Sequence, residues 1–133
     1  MRFLLTNPRC AEVRFSPIAD IRKPEKRVIV SVCITTLFGN AKNMLLANEA
    51  MWRGSVDEAS VHVREVIARA IALGATAIII VHNHPSGDPS PSQQDIRLTR
   101  DLVEAGKHMR IAVHDHVIVG TQGRSSMKAM GLI

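Results

Sequence analysis

Apolar positions fall in blocks along the chain, and the blocks predict four strands and two helices. The first block, VIVSVCITTL at residues 28–37, is β-branched and apolar, which is typical of a buried strand. A polar turn, FGNAKN at residues 38–43, separates it from MLLANEAMWRG at residues 44–54. We predict that this second segment is the hairpin partner of the first, and that a polar connection over residues 55–60 follows it.

A helical period begins after this connection. A single apolar stripe with spacing i, i+3, i+4, i+7 and i+8 is formed by Val63, Val66, Ile67, Ala70 and Ile71. Gly74 is a natural end for this helix, because glycine readily adopts the left-handed conformation that closes helices. The next segment, ATAIIIV at residues 75–81, is short and aliphatic, which indicates a central strand.

A polar loop then leads into a second helix, predicted from Ser92 to Met109, and a last strand follows. Leu98, Leu102 and Ala105 line one face of this helix. The strand is IAVHDHVIVG at residues 111–120. The order strand, strand, helix, strand, helix, strand predicts an α/β fold: one mixed sheet with helices packed on it.

The bulk composition narrows the class of protein. The chain has 133 residues, of which 46% are hydrophobic and 22% charged, as in one globular domain. No apolar run reaches the roughly 20 residues of a membrane span, and the N-terminal apolar patch is too short for a signal peptide. We therefore expect a cytoplasmic protein without membrane contact.

The net charge is +5 and the sequence pI about 9.9, which permits contact with nucleic acid. The main basic cluster is RKPEKR at residues 22–27. Aromatic residues are scarce, which argues against a stacking surface for single strands. We expect any DNA contact to be weak.

The candidate chemistry lies in HNHPSGDPSPSQQD at residues 82–95. His82 and His84 are spaced i, i+2 at a strand end, so their side chains point to the same side. Asp95 precedes Leu98 and Leu102 on the inward stripe of the second helix, so its carboxylate should face the sheet. A buried carboxylate needs a partner, and two His plus one Asp leave the fourth position of a zinc ion open, as in catalytic sites.

Structural alternatives account for the same residues. Ser92 and Asp95 have the spacing of a helix capping box, and Ser86-Gly87-Asp88-Pro89 is turn chemistry. Spacing alone therefore leaves both a metal site and a structural loop open. A second H-x-H, formed by His114 and His116, is expected to play a structural role at the strand end, lining the cleft.

The loop matches H-x-H-x7-S-x2-D, the signature of the JAMM (MPN+) metallopeptidase family. Its segment HNHPSGDP resembles the RadC family in particular. Two longer stretches, at residues 51–87 and 98–120, also resemble the RadC domain, and the likeness covers roughly residues 40–133. The resemblance implies a JAMM/MPN-like fold, related to cytidine deaminases. We expect a divergent N-terminal segment at residues 1–35 and the RadC-type domain at residues 36–133.

The resemblance also implies roles. His82, His84 and Asp95 would hold one zinc ion per chain, and Ser92 would donate a hydrogen bond to the oxyanion. In this family a zinc-activated water attacks an amide or isopeptide carbonyl of a protein or peptide substrate, and a glutamate acts as general base. The alternatives are an accessory protein of DNA repair without robust peptidase activity, and a metal-stabilised scaffold that has lost its base.

The chain departs from the family at that glutamate. Counting back without gaps places it at Val32 or Cys33, and neither can act as a base. Glu25 and Glu12 lie farther upstream, and Glu49 is on the other strand of the hairpin. Because losing a general base typically slows a reaction by about 10²–10⁴-fold, we expect a chain that binds zinc but cleaves amides slowly.

Overall fold

The computed structural model describes residues 32–54 and 61–133, which form five strands and two helices. Their bounds are β1 (Val32–Gly39), β2 (Leu45–Gly54), α1 (Val63–Ala72), β3 (Ala77–Asn83), α2 (Gln93–Met109), β4 (Ala112–Gly120) and β5 (Gly123–Ser126). The predicted strand residues 28–31, the connection 55–60 and the basic cluster 22–27 lie outside the described residues.

The strands form one mixed sheet in the order β2-β1-β3-β4-β5. β1 pairs antiparallel with both β2 and β3, whereas β3 and β4 are parallel and are joined through α2. The predicted α/β fold is confirmed, and so are the hairpin and the central place of β3. The parallel β3–α2–β4 unit matters most for function, because it brings the end of β3 next to the start of α2.

The core lies between one face of this sheet and the two helices. Side chains alternate along a strand, so one face of β1 and β3 is buried as a continuous apolar surface. The helices cover it with their apolar stripes. The buried apolar side chains of this core include Ile34, Phe38, Val66, Ile67, Ile78, Ile80, Leu102 and Ile111. Burying each of these side chains stabilises the fold by about 1.5–3 kcal/mol.

Two sequence predictions about the core are wrong. Phe38, predicted in the hairpin turn, ends the buried face of β1 and is 0% exposed. Ile71, predicted on the inward stripe of α1, is 55% exposed, because one residue of helix turns it about 100° away from the buried Ala70. β5 was not predicted, since GRSS carries no apolar pattern and pairs with β4 through its backbone at the sheet edge.

A β-bulge interrupts the pairing of β3 with β4. Ile78 pairs with Val113, but the next residue, Ile79, pairs with Asp115, so His114 is an extra residue in β4. After the bulge, Ile80 pairs with His116. This register turns the His116 side chain to the buried face of the sheet, where it is 0% exposed.

No helix among the described residues combines the length and the apolar character that crossing a membrane requires.

Candidate metal centre

The end of β3 places two histidines side by side. His82 is the penultimate residue of β3 and is 4% exposed, whereas His84 follows the strand and is more accessible. Their ring centroids lie 4.7 Å apart. The i, i+2 spacing therefore brings the two imidazoles together as predicted.

Asp95 reaches the same point from the first turn of α2. Its Oδ1 lies 3.4 Å from His82 Nε2, and its Oδ2 lies 3.3 Å from His84 Nε2. Only 13% of the Asp95 side chain is exposed, so the carboxylate faces inward as predicted. One ligand atom from each of these three residues lies within 4.8 Å of the others, and the group can hold a metal ion.

Ser92 fixes the direction of Asp95 through a capping box at the start of α2. The Ser92 backbone N–H and hydroxyl both donate to Asp95 Oδ2, at 2.7 and 2.6 Å, and the Asp95 N–H donates to Ser92 Oγ at 3.2 Å. The structural alternative for this pair is thus present together with the cluster. The Ser92 hydroxyl proton points at Asp95 here, and its oxyanion role stays a prediction.

The loop between His84 and α2 is anchored on the hairpin formed by β4 and β5. The His84 N–H donates to the Val119 carbonyl at 2.8 Å, and Ser125 Oγ donates to the Pro89 carbonyl at 2.5 Å. A Cβ on Gly120 would lie only 2.1 Å from the Gly87 carbonyl oxygen, so the two backbones touch at this glycine. These contacts hold the second histidine in place although it lies beyond the strand.

The tautomer of His84 follows from its other nitrogen. His84 Nδ1 lies 2.9 Å from the Asp88 backbone carbonyl, which can only accept, so Nδ1 carries the proton. The lone pair is then on Nε2, which faces the Asp95 carboxylate. Two electron-rich atoms 3.3 Å apart repel each other unless a cation or a proton lies between them. This arrangement fits a metal ion.

The protonation states of His82 and Asp95 also suit a metal ion. Burial, more than any other effect, lowers the pKa of His82 to about 4, so the ring is neutral at pH 7. Burial raises the pKa of Asp95, but hydrogen bonds from Ser92 and the nearby His82 outweigh burial and hold this pKa below its ordinary value. A neutral imidazole and an ionised carboxylate are the forms that bind zinc.

A cleft opens in front of this cluster. Val32, Ile34 and Leu98 belong to its apolar wall, while Ser86, Ser92, Gln94 and Arg97 are polar residues that line it. The acids that line the cleft within residues 32–54 and 61–133 are Asp95 and Asp101. The described part of the wall therefore offers no glutamate.

Of the two positions predicted for the family's base, Val32 lies at the cleft. Ile34 pairs with His82, so continuing the antiparallel register places Val32 across from His84, and Val32 lines the cleft. Cys33, the other expected position, donates its backbone N–H to Asn83 Oδ1 at 2.7 Å and is not among the lining residues.

The remaining candidates for the base do not line the described cleft. Glu49 forms a two-pronged ion pair with Arg69, at 2.6 and 2.7 Å, and the hydrogen bond from that guanidinium lowers the pKa of Glu49. Its carboxylate is thus held in an ion pair at the far side of the hairpin. Glu12 and Glu25 lie outside the described residues.

The second H-x-H motif, His114 and His116, places one of its histidines in contact with the cluster. His116 Nε2 lies 2.7 Å from His82 Nδ1, so a buried histidine directly contacts a member of the cluster. His114 is the bulge residue and does not share this position. The sequence pattern drew attention to both residues, but only the bulge separates their environments.

A family model described as RadC-like JAB domain matches residues 20–132 of the chain. The match includes the whole sheet, both helices and the cluster of His82, His84 and Asp95. It begins at residue 20, and thus takes in part of the segment 1–35 that the sequence analysis set apart. The boundary at residue 35 stays a prediction.

Proposed function

We propose, because the chain belongs to the family of RadC-like JAB domains, that it is a zinc-dependent hydrolase which cleaves an amide or isopeptide bond. One observation carries the proposal: His82, His84 and Asp95 present three ligand atoms within 4.8 Å of one another at the floor of a cleft. Two imidazoles and one carboxylate, with the cleft in front, are typical of catalytic rather than structural zinc.

Each residue of the site has a distinct task. The Nε2 atoms of His82 and His84 and the Asp95 carboxylate would hold the ion, which when bound supplies Lewis acidity that polarises a carbonyl and lowers the pKa of water. Ser92 orients Asp95 through the capping box, and its hydroxyl is placed to donate to a developing oxyanion if it turns away from Asp95. Val32 and Ile34 keep one side of the cleft apolar and so limit the access of bulk water.

The rate of this hydrolase is expected to be low. With Val32 at the cleft wall, the described residues provide no glutamate to accept a proton during attack on the amide. We expect hydrolysis that depends on zinc but is slower by about 10²–10⁴-fold than that of an enzyme with its base in place. Glu25 is the upstream acid that would contradict this expectation if Glu25→Gln abolished a robust activity.

The metal is tested first. The full chain, prepared in zinc-replete medium and desalted, should carry about one zinc ion per molecule by elemental analysis. His84→Ala should lose the zinc while its far-UV circular dichroism stays unchanged, because His84 is part-exposed and lies outside the core. The matched control is His108→Ala, an exposed histidine in the last turn of α2, which should retain the zinc. Metal-free wild-type protein would overturn the proposal.

Hydrolysis is tested next, on fluorogenic peptides that carry either an ordinary amide or a lysine isopeptide bond. We expect slow cleavage that stops on addition of a chelator, returns with zinc and is absent in His84→Ala. If the zinc-loaded wild type is no faster than His84→Ala on every substrate, the hydrolase proposal is wrong and the metal serves the fold.

A further inference from the structure

A chain of hydrogen bonds runs from His82 into the interior of the domain. His82 Nδ1 lies 2.7 Å from His116 Nε2, and His116 Nδ1 lies 2.6 Å from Thr99 Oγ1. Thr99 Oγ1 donates to the backbone carbonyl of Asp95 at 2.6 Å. Thr99 and His116 are both 0% exposed, so bulk water does not compete for these bonds.

The last acceptor fixes the direction of every bond. A backbone carbonyl has no proton, so the Thr99 hydroxyl must donate to Asp95. The Thr99 oxygen is then an acceptor for His116, and the proton of a neutral His116 lies on Nδ1. His116 Nε2 therefore carries a lone pair and accepts from His82 Nδ1. It follows that the lone pair of His82 lies on Nε2, the atom that faces Asp95 Oδ1.

Burial keeps both rings in the neutral form that this direction requires. It is the largest effect on each, and lowers the pKa of His82 and of His116 to about 4. Thr99 Oγ1 also lies 3.5 Å from Met127 Sδ, but a thioether is a weak acceptor and the Asp95 carbonyl is much closer.

The backbone around His116 is held as firmly as its ring. Asp115 Oδ1 accepts the His116 N–H at 2.7 Å and the Lys128 N–H at 3.1 Å. Asp115 Oδ2 accepts from Ser126 Oγ at 2.6 Å. Asp115 and His116 are consecutive residues of β4, so their side chains lie on opposite sides of the strand, and the carboxylate anchors the backbone while the imidazole turns toward His82.

We propose that His116 and Thr99 are positioning residues for the metal centre: they fix the Nδ1–H tautomer of His82 and aim its Nε2 at the metal. This proposal rests on the proposed function, because the position of His82 Nε2 matters for zinc affinity only if the site holds a metal ion. Partners of this kind are worth about 10–100-fold in metal affinity in other sites. The hydrogen-bonded series ends at the backbone carbonyl of Asp95, whose carboxylate is itself a candidate ligand. The two candidate ligands His82 and Asp95 therefore share one hydrogen-bond network.

The first experiment measures zinc affinity in the full chain, by competition with a chromophoric chelator and zinc ions alone. His116→Leu should weaken binding by about 10–100-fold, because it leaves His82 Nδ1–H without an acceptor. His116→Gln should restore most of the affinity, since its side-chain carbonyl can accept that proton. The matched control is His114→Leu, the same change at the bulge residue of the same strand, and it should bind zinc as the wild type does.

The second experiment reads the tautomer without metal. The nitrogen chemical shifts and couplings of the His82 ring in the ¹⁵N-labelled apo protein distinguish Nδ1–H from Nε2–H. We expect Nδ1–H in the wild type and in His116→Gln, and a shift toward Nε2–H in His116→Leu. If His116→Leu does not fold, Thr99→Val against Thr99→Ser tests the same chain, because only serine keeps the hydroxyl.

The outcomes separate the two proposals. An unchanged His82 tautomer in a folded His116→Leu or Thr99→Val variant overturns the positioning role, and so does unchanged zinc affinity in both. Wild-type protein that binds no zinc overturns the proposed function instead, and the tautomer measurement then decides on its own whether His116 orients His82.

Discussion

Acidification should destabilise the metal-free protein well above the pH at which carboxylates protonate. Burial lowers the pKa of His82 and of His116 from an ordinary 6.5 to about 4. In the unfolded chain both rings regain the ordinary value, so the unfolded state binds more protons between these two pH values. The stability contributed by the neutral rings is therefore complete above pH 6.5 and is lost as the pH falls toward 4.

The magnitude follows from the same two pKa values. Between pH 7 and pH 5, each histidine contributes a loss of about 2 kcal/mol in the free energy of unfolding. Both rings stay almost entirely neutral in the folded protein over this range, so the two losses nearly add, to about 3–4 kcal/mol. That is a large share of the 5–15 kcal/mol by which domains are typically stable, and corresponds to a fall in Tm on the order of 10 °C.

The assay is urea unfolding of chelator-treated protein at several pH values from 7 to 4.5, followed by circular dichroism. His116→Gln is the matched variant: it removes one of the two titrating rings and should show about half the pH dependence. Asp95 cannot account for the loss, because its pKa lies below the ordinary 3.8 and outside this range. A free energy of unfolding that is flat from pH 7 to pH 5 would refute the reasoning, and so would an equal slope in His116→Gln.

Two further predictions concern the cleft and the end of α2. Val32→Glu should raise zinc-dependent amide hydrolysis by about 10²-fold or more over Val32→Gln, measured in the fluorogenic assay, and equal rates would mean that this position does not reach the reacting atoms. Gly106→Ala should lower the free energy of unfolding by about 1–3 kcal/mol, because a Cβ there would lie 2.3 Å from the Ile111 carbonyl oxygen. Gly74→Ala meets no atom within 4 Å and should cost only the roughly 1–2 kcal/mol of its left-handed backbone. A loss at Gly106 well below about 1 kcal/mol would contradict the steric argument.

The sequence predicted the fold and the convergence of three side chains because both depend on local spacing, whereas the choice of a metal over a structural loop came from the family resemblance. Period-two and period-3.6 patterns identify the strands and helices, and the i, i+2 spacing of His82 and His84 dictates a shared side. The inward direction of Asp95 followed from its place on the stripe of α2. These inferences need no knowledge of distant contacts, which is why the structure agrees with them.

What the sequence did not predict depends on contacts between segments far apart in the chain. The role of His116 requires the register of β3 against β4, including a bulge that shifts it by one residue. No local pattern reveals that shift, and His114 and His116 look equivalent in a list of letters. The choice between Val32 and Cys33 at the cleft wall likewise depends on how β1 pairs with β3.

The bulge in β4 also makes position 114 the place where the length of this strand can change. Residues before His114 follow one pairing frame with β3 and residues after it follow another, so the extra residue separates the frames. Without His114, the pairs on either side of it would be kept and would join into one uninterrupted ladder. Deleting Val117 instead would exchange the faces of Ile118 and of the residues that follow it. A single-residue deletion should therefore be tolerated at position 114, whereas one later in the strand should damage the buried face.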